Sequence, residues 1–282
     1  MKSAIVTVLC VAALAIWTPC HVQTQTLPVV ITSDYYAQPK VLVLHALNNS
    51  GKDITGYIFI IRHKNPDGTV DKGGRSYSMS DLLSVLITTQ MAQDPTASES
   101  IRQQDKAATR FFASEGKGNG IFRAGETRDV TLTGINSNSE VDMVAGAVFY
   151  ADGSYDQQDE DAFKEMLANR QHQLQQMKDT DELIRNALAD EANAHPVAVV
   201  LTQLSKRRVE EMDRPSQRFP MDLSDSELRS MQQPISYGPM TGKTERERLT
   251  QYVEEEEKKV ELMTPHCHLE IALEAAAPDS AK

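Results

Sequence analysis

Between Val29 and Tyr150 the apolar residues fall in short β-branched and aromatic runs, whereas after Asp159 they recur every three or four positions. The first pattern predicts strands and the second helices. Val29–Thr32 opens the series. Lys40–Leu47 alternates, with Val41, Val43 and His45 on one face and Leu42, Leu44 and Ala46 on the other, the period of a strand with two unlike faces. Ile54–His63 is strongly β-prone around Tyr57-Ile58-Phe59-Ile60-Ile61, and Asn65-Pro66-Asp67-Gly68 ends it in a turn, so a strand–turn–strand unit is expected. Ser80–Ala92 is expected as a short helix facing inward through Leu82, Leu83, Leu86 and Ile87, and Pro95–Ser100 and Glu115–Gly120 as exposed loops. Ile121-Phe122, Asp129–Thr133 and Val141–Tyr150 complete six or seven strands, the spacing of a β-sandwich.

Behind Asp159-Glu160-Asp161, acids suited to a first helical turn, the residues Phe163, Leu167, Leu174, Met177, Ile184 and Leu188 predict an amphipathic helix of about 30 residues, broken near Asp179. His195-Pro196 begins a second helix with Val197, Val200, Leu201 and Leu204 on one side. Pro215 and Pro220 punctuate a linker, Ser224-Asp225-Ser226-Glu227 reads as a capping box, and Thr244–Met263 as a final helix. In that helix the Glu254–Glu257 run ahead of Lys258-Lys259 is expected on a wet face.

Three features change this picture. Lys2 followed by the apolar run Ala4–Trp17 fits a secretory signal, too short to span a bilayer with ease, so a periplasmic or secreted location is expected. Cys10 and Cys20 fall in that segment, which leaves Cys267 without an internal disulfide partner. Residues 1–151 carry as many acidic as basic side chains, so the whole net charge of −11 falls on 152–282. An acidic surface repels phosphate backbones, which excludes nucleic acid as a partner.

The run Ala46-Leu47-Asn48-Asn49-Ser50-Gly51-Lys52-Asp53-Ile54, the turn Ala124-Gly125-Glu126-Thr127 and the segment Val148-Phe149-Tyr150-Ala151-Asp152-Gly153-Ser154 resemble an immunoglobulin-like module of secreted bacterial proteins over residues 28–155. Such modules carry an asparagine-rich turn after an early strand and a Gly-Glu turn before a later one. The resemblance implies an antiparallel sandwich and no activity. The paired cysteines of antibody-type domains are missing, and Trp17 lies in the leader. The expected fold is α+β: a signal peptide at 1–24, an immunoglobulin-like β-sandwich at 25–155, an acidic, mostly α-helical region at 156–264 and a flexible tail at 265–282.

Candidate chemistry is sparse. Asp152-Gly153-Ser154-Tyr155-Asp156 places Asp152 and Asp156 as candidate calcium ligands, although an EF-hand loop would need glycine and glutamate where Gln157 and Phe163 stand. His266 and His268 flank Cys267 and on an extended chain can share a soft metal ion, with Cys267 on the opposite side. A Cys267 exposed in a tail would also permit a disulfide-linked dimer. Asn48-Asn49-Ser50 matches a glycosylation acceptor. No nucleophile elbow, zinc-protease motif or phosphate-cradling loop is present, and no cofactor is implied. The expected role is a non-catalytic binding or scaffolding component of the bacterial cell envelope. It would meet a protein partner, or a second copy, through the helical seam at Phe163, Leu167, Leu174 and Met177. A hydrolase or metal-dependent enzyme, and an ion- or small-ligand-binding protein, are the alternatives. Once the leader is removed, no segment is long and apolar enough to make an integral membrane protein.

Overall fold

A computed structural model describes residues 28–65, 67–114, 116, 117, 120–137, 140–212, 243–268 and 270. The signal segment, the prolines at 215 and 220 and the 224–227 capping box lie outside them. The chain is mixed α+β, with two antiparallel sheets and five α-helices among the described residues. The first sheet has the order β1-β2-β5, from β1 (Val29–Tyr36), β2 (Val41–Asn48) and β5 (Thr127–Thr133). The second has the order β4-β3-β6-β7, from β3 (Ile54–Lys64), β4 (Val70–Asp81), β6 (Val141–Tyr150) and β7 (Tyr155–Gln157).

Alternation on β2 holds as expected: Leu42, Leu44 and Ala46 are buried and Val41, Val43 and His45 face outward. Those buried residues meet Tyr57, Phe59 and Ile61 of β3 and Val141, Met143 and Val148 of β6 in one core between the sheets. The second sheet is apolar on both faces, which is why β3 reads as an unbroken apolar run. Its outer face, Ile58, Ile60, Ala147 and Phe149, packs on Ala162, Phe163, Met166 and Leu167 of α3 (Glu160–Ala189). Each fully buried aliphatic or aromatic side chain contributes roughly 1.5–3 kcal/mol, so these two cores dominate the stability. Gly146 permits the close approach of sheet and helix: a Cβ there would lie 2.8 Å from Ile60 and 3.1 Å from Ala162.

The turns that carried the resemblance meet at one end of the sheets. Asn48 accepts from the Gly125 amide (2.8 Å), its own amide donates to Glu126 (2.9 Å), and its side chain donates to Lys52 O and Phe122 O. Asn48 is fully buried, so it is unavailable as a glycosylation acceptor. Lys52 pairs with Asp152 at 2.8 Å and joins the third turn to the same cluster.

Several elements depart from the sequence reading. The expected helix at Ser80 starts at Leu83, because Ser80 and Asp81 complete β4; α1 is Leu83–Ala92. Helix α2 (Glu99–Ser114) fills a stretch for which no element was expected, and Ser98 caps it by accepting from the Ile101 amide at 3.2 Å. Ile121-Phe122 yields a single bridge, Ile54↔Phe122, rather than a strand. Helix α3 runs 30 residues unbroken through Asp179, which accepts from Gln175 one turn earlier at 2.6 Å, and neither glycine nor proline interrupts it. The supposed self-association seam is covered by the chain itself: Phe163 and Leu167 meet the sheet, while Leu174 and Met177 meet other helices. Helices α4 (Pro196–Met212) and α5 (Glu245–Met263) pack on the second half of α3 through Ile184, Val200, Leu204, Leu249 and Val253. Thr264–His266 continues α5 as a 3-10 turn, and His266 and Cys267 are buried, so the segment expected to start a flexible tail is packed instead.

One ion pair ties the helices to the sheet. The Arg170 guanidinium on α3 is 1% exposed and donates through Nε (2.9 Å) and Nη2 (2.8 Å) to the two carboxylate oxygens of Asp81. Nη2 also reaches Thr55 Oγ1 at 3.3 Å, and the guanidinium carbon lies 4.5 Å from the Phe149 ring centroid. A Cβ at Gly56 would sit 2.6 Å from Nη2, so glycine makes room for the pair. Removing one partner strands the other charge in a low-dielectric interior. Urea unfolding of Arg170→Ala should therefore show a loss of about 3–5 kcal/mol. Asp81→Ala should cost a similar amount, and the double variant clearly less than the sum of the two.

Candidate functional site

The four candidate ligands converge on one place, the β6–β7 turn and the C-terminal segment over it, but as structural parts. Asp152 pairs with Lys52, and its Oδ1 accepts from the Ser154 amide (3.0 Å) and hydroxyl (2.5 Å). Lys52, and then the Ser154 bonds, hold its carboxyl well below the usual carboxylate range. Asp156 accepts from the Tyr150 hydroxyl at 2.7 Å. Burial, followed by that bond, raises the Tyr150 phenol well above its usual range, so it stays protonated as the donor. The His266 ring packs beside Gly153, and the His268 ring meets Tyr155 edge-on at 4.9 Å. Burial, then the Arg170 charge, lowers the His266 pKa and keeps the ring neutral. Among the described residues no group of three or more His, Cys, Asp or Glu side chains is placed to hold a metal ion. Asp152 and Asp156 thus clamp the turn, while His266 Nδ1 and His268 Nε2 are buried without a hydrogen-bond partner among the described residues.

Cys267, between the two histidines, is fully buried; its thiol lies 3.4 Å from Met263 O and 3.6 Å from Arg170 O, and its own carbonyl accepts from Gln171 at 3.0 Å. Burial pushes the thiol up to about 11. A protonated, enclosed thiol is neither a nucleophile nor a disulfide donor, which corrects the expectation of a dimer through Cys267.

A second polar cluster lies between α3 and α5 and was not anticipated. Asp181 and Glu256 are both buried, on facing helices, with Gln176, Thr180 and Tyr252 around them. Lys259 donates to Glu256 at 2.5 Å, and Arg207 on α4 reaches Thr180 at 3.3 Å. Asp181 Oδ1 and both polar atoms of the Gln176 amide have no hydrogen-bond partner among the described residues. Burial first, and then the Glu256 charge, push the Asp181 carboxyl up to about 7. The glutamate run from 254 to 257 is therefore not wholly wet: Glu256 turns inward while Glu254 and Glu257 face solvent.

Those outward glutamates form one wall of a groove of about 550 Å³. Along α5 the wall is Gln251, Glu254, Glu255, Glu257, Lys258 and Glu261. Opposite stands the α1–α2 connection, where Asp94 accepts from the Thr96 amide (2.8 Å) and hydroxyl (2.7 Å) and is held below its usual range by those bonds. The floor is apolar: Met91 and Ile101, buried in the core that α1, α2 and α5 share, with Ala97 beside them. Sequence periodicity announces the α5 stripe, but α2 and the groove's far wall carry no signal that a polar, loop-like composition would reveal.

Two predictions follow from these environments. Asp181 holds its proton more tightly folded (about 7) than unfolded (about 3.9), so the stability it contributes is full below about pH 4 and is lost as pH rises through 7. Asp181→Asn should flatten that slope and exceed the parent at pH 8 by on the order of 2 kcal/mol, allowing for screening by water, in urea unfolding at a series of pH values. A thiol reagent should label Cys267 in the native protein no faster than global unfolding exposes it.

No family model matches the chain, and no curated protein matches it. Among solved structures, a hypothetical protein from Peptoclostridium difficile 630, determined by X-ray crystallography at 1.85 Å, is similar over 51% of this chain and 92% of its own. The identity is 12% and the TM-score 0.26, a likeness that carries no argument about fold or function.

Proposed function

We propose that this chain is an exported, non-catalytic binding or scaffolding protein of the bacterial cell envelope. Its body is an immunoglobulin-like β-sandwich, and a helical layer on one sheet presents the binding surface. The strand orders β1-β2-β5 and β4-β3-β6-β7 correspond to A-B-E and C′-C-F-G of the immunoglobulin sandwich, which supports the fold reading together with the three interlocked turns. Export rests on the run Ala4–Trp17 behind Lys2.

The observation that carries the binding reading is the groove between α5 and the α1–α2 connection. Its apolar floor gives an inserted side chain a dry seat, and its carboxylates favour positive charge at the rim. A basic segment with an apolar anchor satisfies both. No helix among the described residues is long and apolar enough to cross a membrane.

Calorimetric titration of the full chain with a helical lysine–leucine peptide tests this. Binding should weaken as salt rises, because the rim charges are exposed and screened. Glu254→Gln with Glu261→Gln should weaken it about tenfold, two rim charges at roughly 0.5–1 kcal/mol each. Equal binding of a glutamate–leucine peptide, or an unchanged affinity in the double variant, would sink the reading.

A further inference from the structure

The first sheet stops one strand short of the second. Strand β5 pairs with β2 alone among the described residues, whereas β3 has β4 beyond it. Strand β1 lies against β6, and the Arg128 guanidinium of β5 sits 6.0 Å from the Tyr57 ring of β3. Thus β5 is stacked over β3, and the next position in its sheet lies over β4. The chain between β4 and β5, which would fill that position, forms α1 and α2, and the core that those helices share is with α3 and α5.

Both walls of the vacant position are visible. Opposite residues of an antiparallel pair share a face, so Ser80, Ser78 and Ser76 of β4, in register with Tyr57, Phe59 and Ile61, point to the inter-sheet side. Ser76 is exposed, and Ser78 and Ser80 are half-buried. On the other wall Val130 and Leu132 pack against the core yet stay only partly buried. An apolar core that ends in a strand edge unpaired among the described residues, above short serines, leaves a slot one strand wide, about 4.8 Å.

We propose that this slot takes one extended segment of a partner protein, which adds to the sheet as a fourth strand hydrogen-bonded along β5. The edge dictates an extended backbone, since only that form matches its alternating N–H and C=O groups. The serines leave depth for large side chains, so the inward residues of the segment are apolar and the outward ones, beside Asp129 and Thr131, polar. A second copy of this chain does not fit: its own β5 would bring its β3 beneath, into the space β4 holds. Arg128 marks one end of the footprint. Its side chain is turned inward and engaged by Gly120 O (2.5 Å), Glu126 (3.1 Å) and the Phe122 ring (4.8 Å), so the strand spans Asp129–Thr133. This surface is distinct from the α5 groove and does not rest on it.

Residue-resolved amide exchange on the full chain tests the proposal, with a lysine-flanked peptide of alternating valine and threonine as the probe. In the free chain the Asp129–Thr133 amides that point away from β2 should exchange fast. Saturating peptide should slow them about tenfold or more, while α5 is unchanged. The same peptide with a central proline cannot complete the ladder and should bind at least about tenfold more weakly. Ser78→Trp fills the slot and should weaken binding by a similar factor. Should that variant not fold, the proline comparison on the parent chain decides alone. Edge amides already protected in the free chain, protection that falls on α5 instead, equal binding of the proline peptide, or a peptide-independent dimer protecting β5 would each overturn it.

Discussion

A buried charge needs a partner, and the Arg170 guanidinium finds its contacts on three strands while the groups around it draw in α1 and the C-terminal segment. Asp81, at the last position of β4, takes two of its N–H groups and with its Oδ1 also accepts from the Leu83 amide at the start of α1 (3.2 Å). Thr55 and Gly56 of β3 supply a hydroxyl and an empty Cβ position, Phe149 of β6 a ring face, and Cys267 a thiol on the Arg170 carbonyl. A sheet edge, two helices and the C-terminal segment are thereby held in one relative placement. Displacing the fork–fork pair would leave both charges unpaired in the interior. The pair sets geometry more than it adds stability.

Once α3 is fixed, the helical layer has two unlike surfaces. Its inner surface holds the Asp181–Glu256 cluster, where burial turns a carboxyl into a group that titrates near neutrality. Its outer surface is the α5 stripe facing the α1–α2 connection, where the same kind of residue lines an open groove. One glutamate run serves both because adjacent helical residues point about 100° apart, so Glu256 turns in while Glu254 and Glu257 turn out. The diversion of the chain into α1 and α2 has two effects: it builds the far wall of the groove, and it leaves the first sheet with an edge at β5 that is unpaired among the described residues.

Much of the fold was legible because its signals are local. The alternation at Leu42, Leu44 and Ala46 marks the core face of β2, and the Phe163–Leu188 recurrence marks α3. Thr244 opens α5 with a capping box closed by Glu247. What was misread had weak or misleading local chemistry. Ser80 and Asp81 are polar and end β4 where a helix was expected, and α2 buries only Ile101 and so reads as polar. The motif at Asp152 and Asp156 and the His266–His268 pair look like ligands in isolation. Lys52 and Tyr150 engage the two aspartates once distant segments come together, and the histidine rings pack beside Gly153 and Tyr155.

By itself the sequence determined the main strands and the helices after Asp159, which of their faces are apolar, and that the net charge falls on the later part of the chain. Hydrophobic period and capping act over a few residues, and a linear text records them fully. Tertiary structure alone decided that Arg170 is buried rather than solvated, that Cys267 is sealed, that Asp181 meets Glu256, and that β5 ends a sheet. Each of these depends on which residues far apart in sequence share a low-dielectric space, and the energy of a charge, a thiol or an unpaired amide is set by that neighbourhood rather than by its place in the chain.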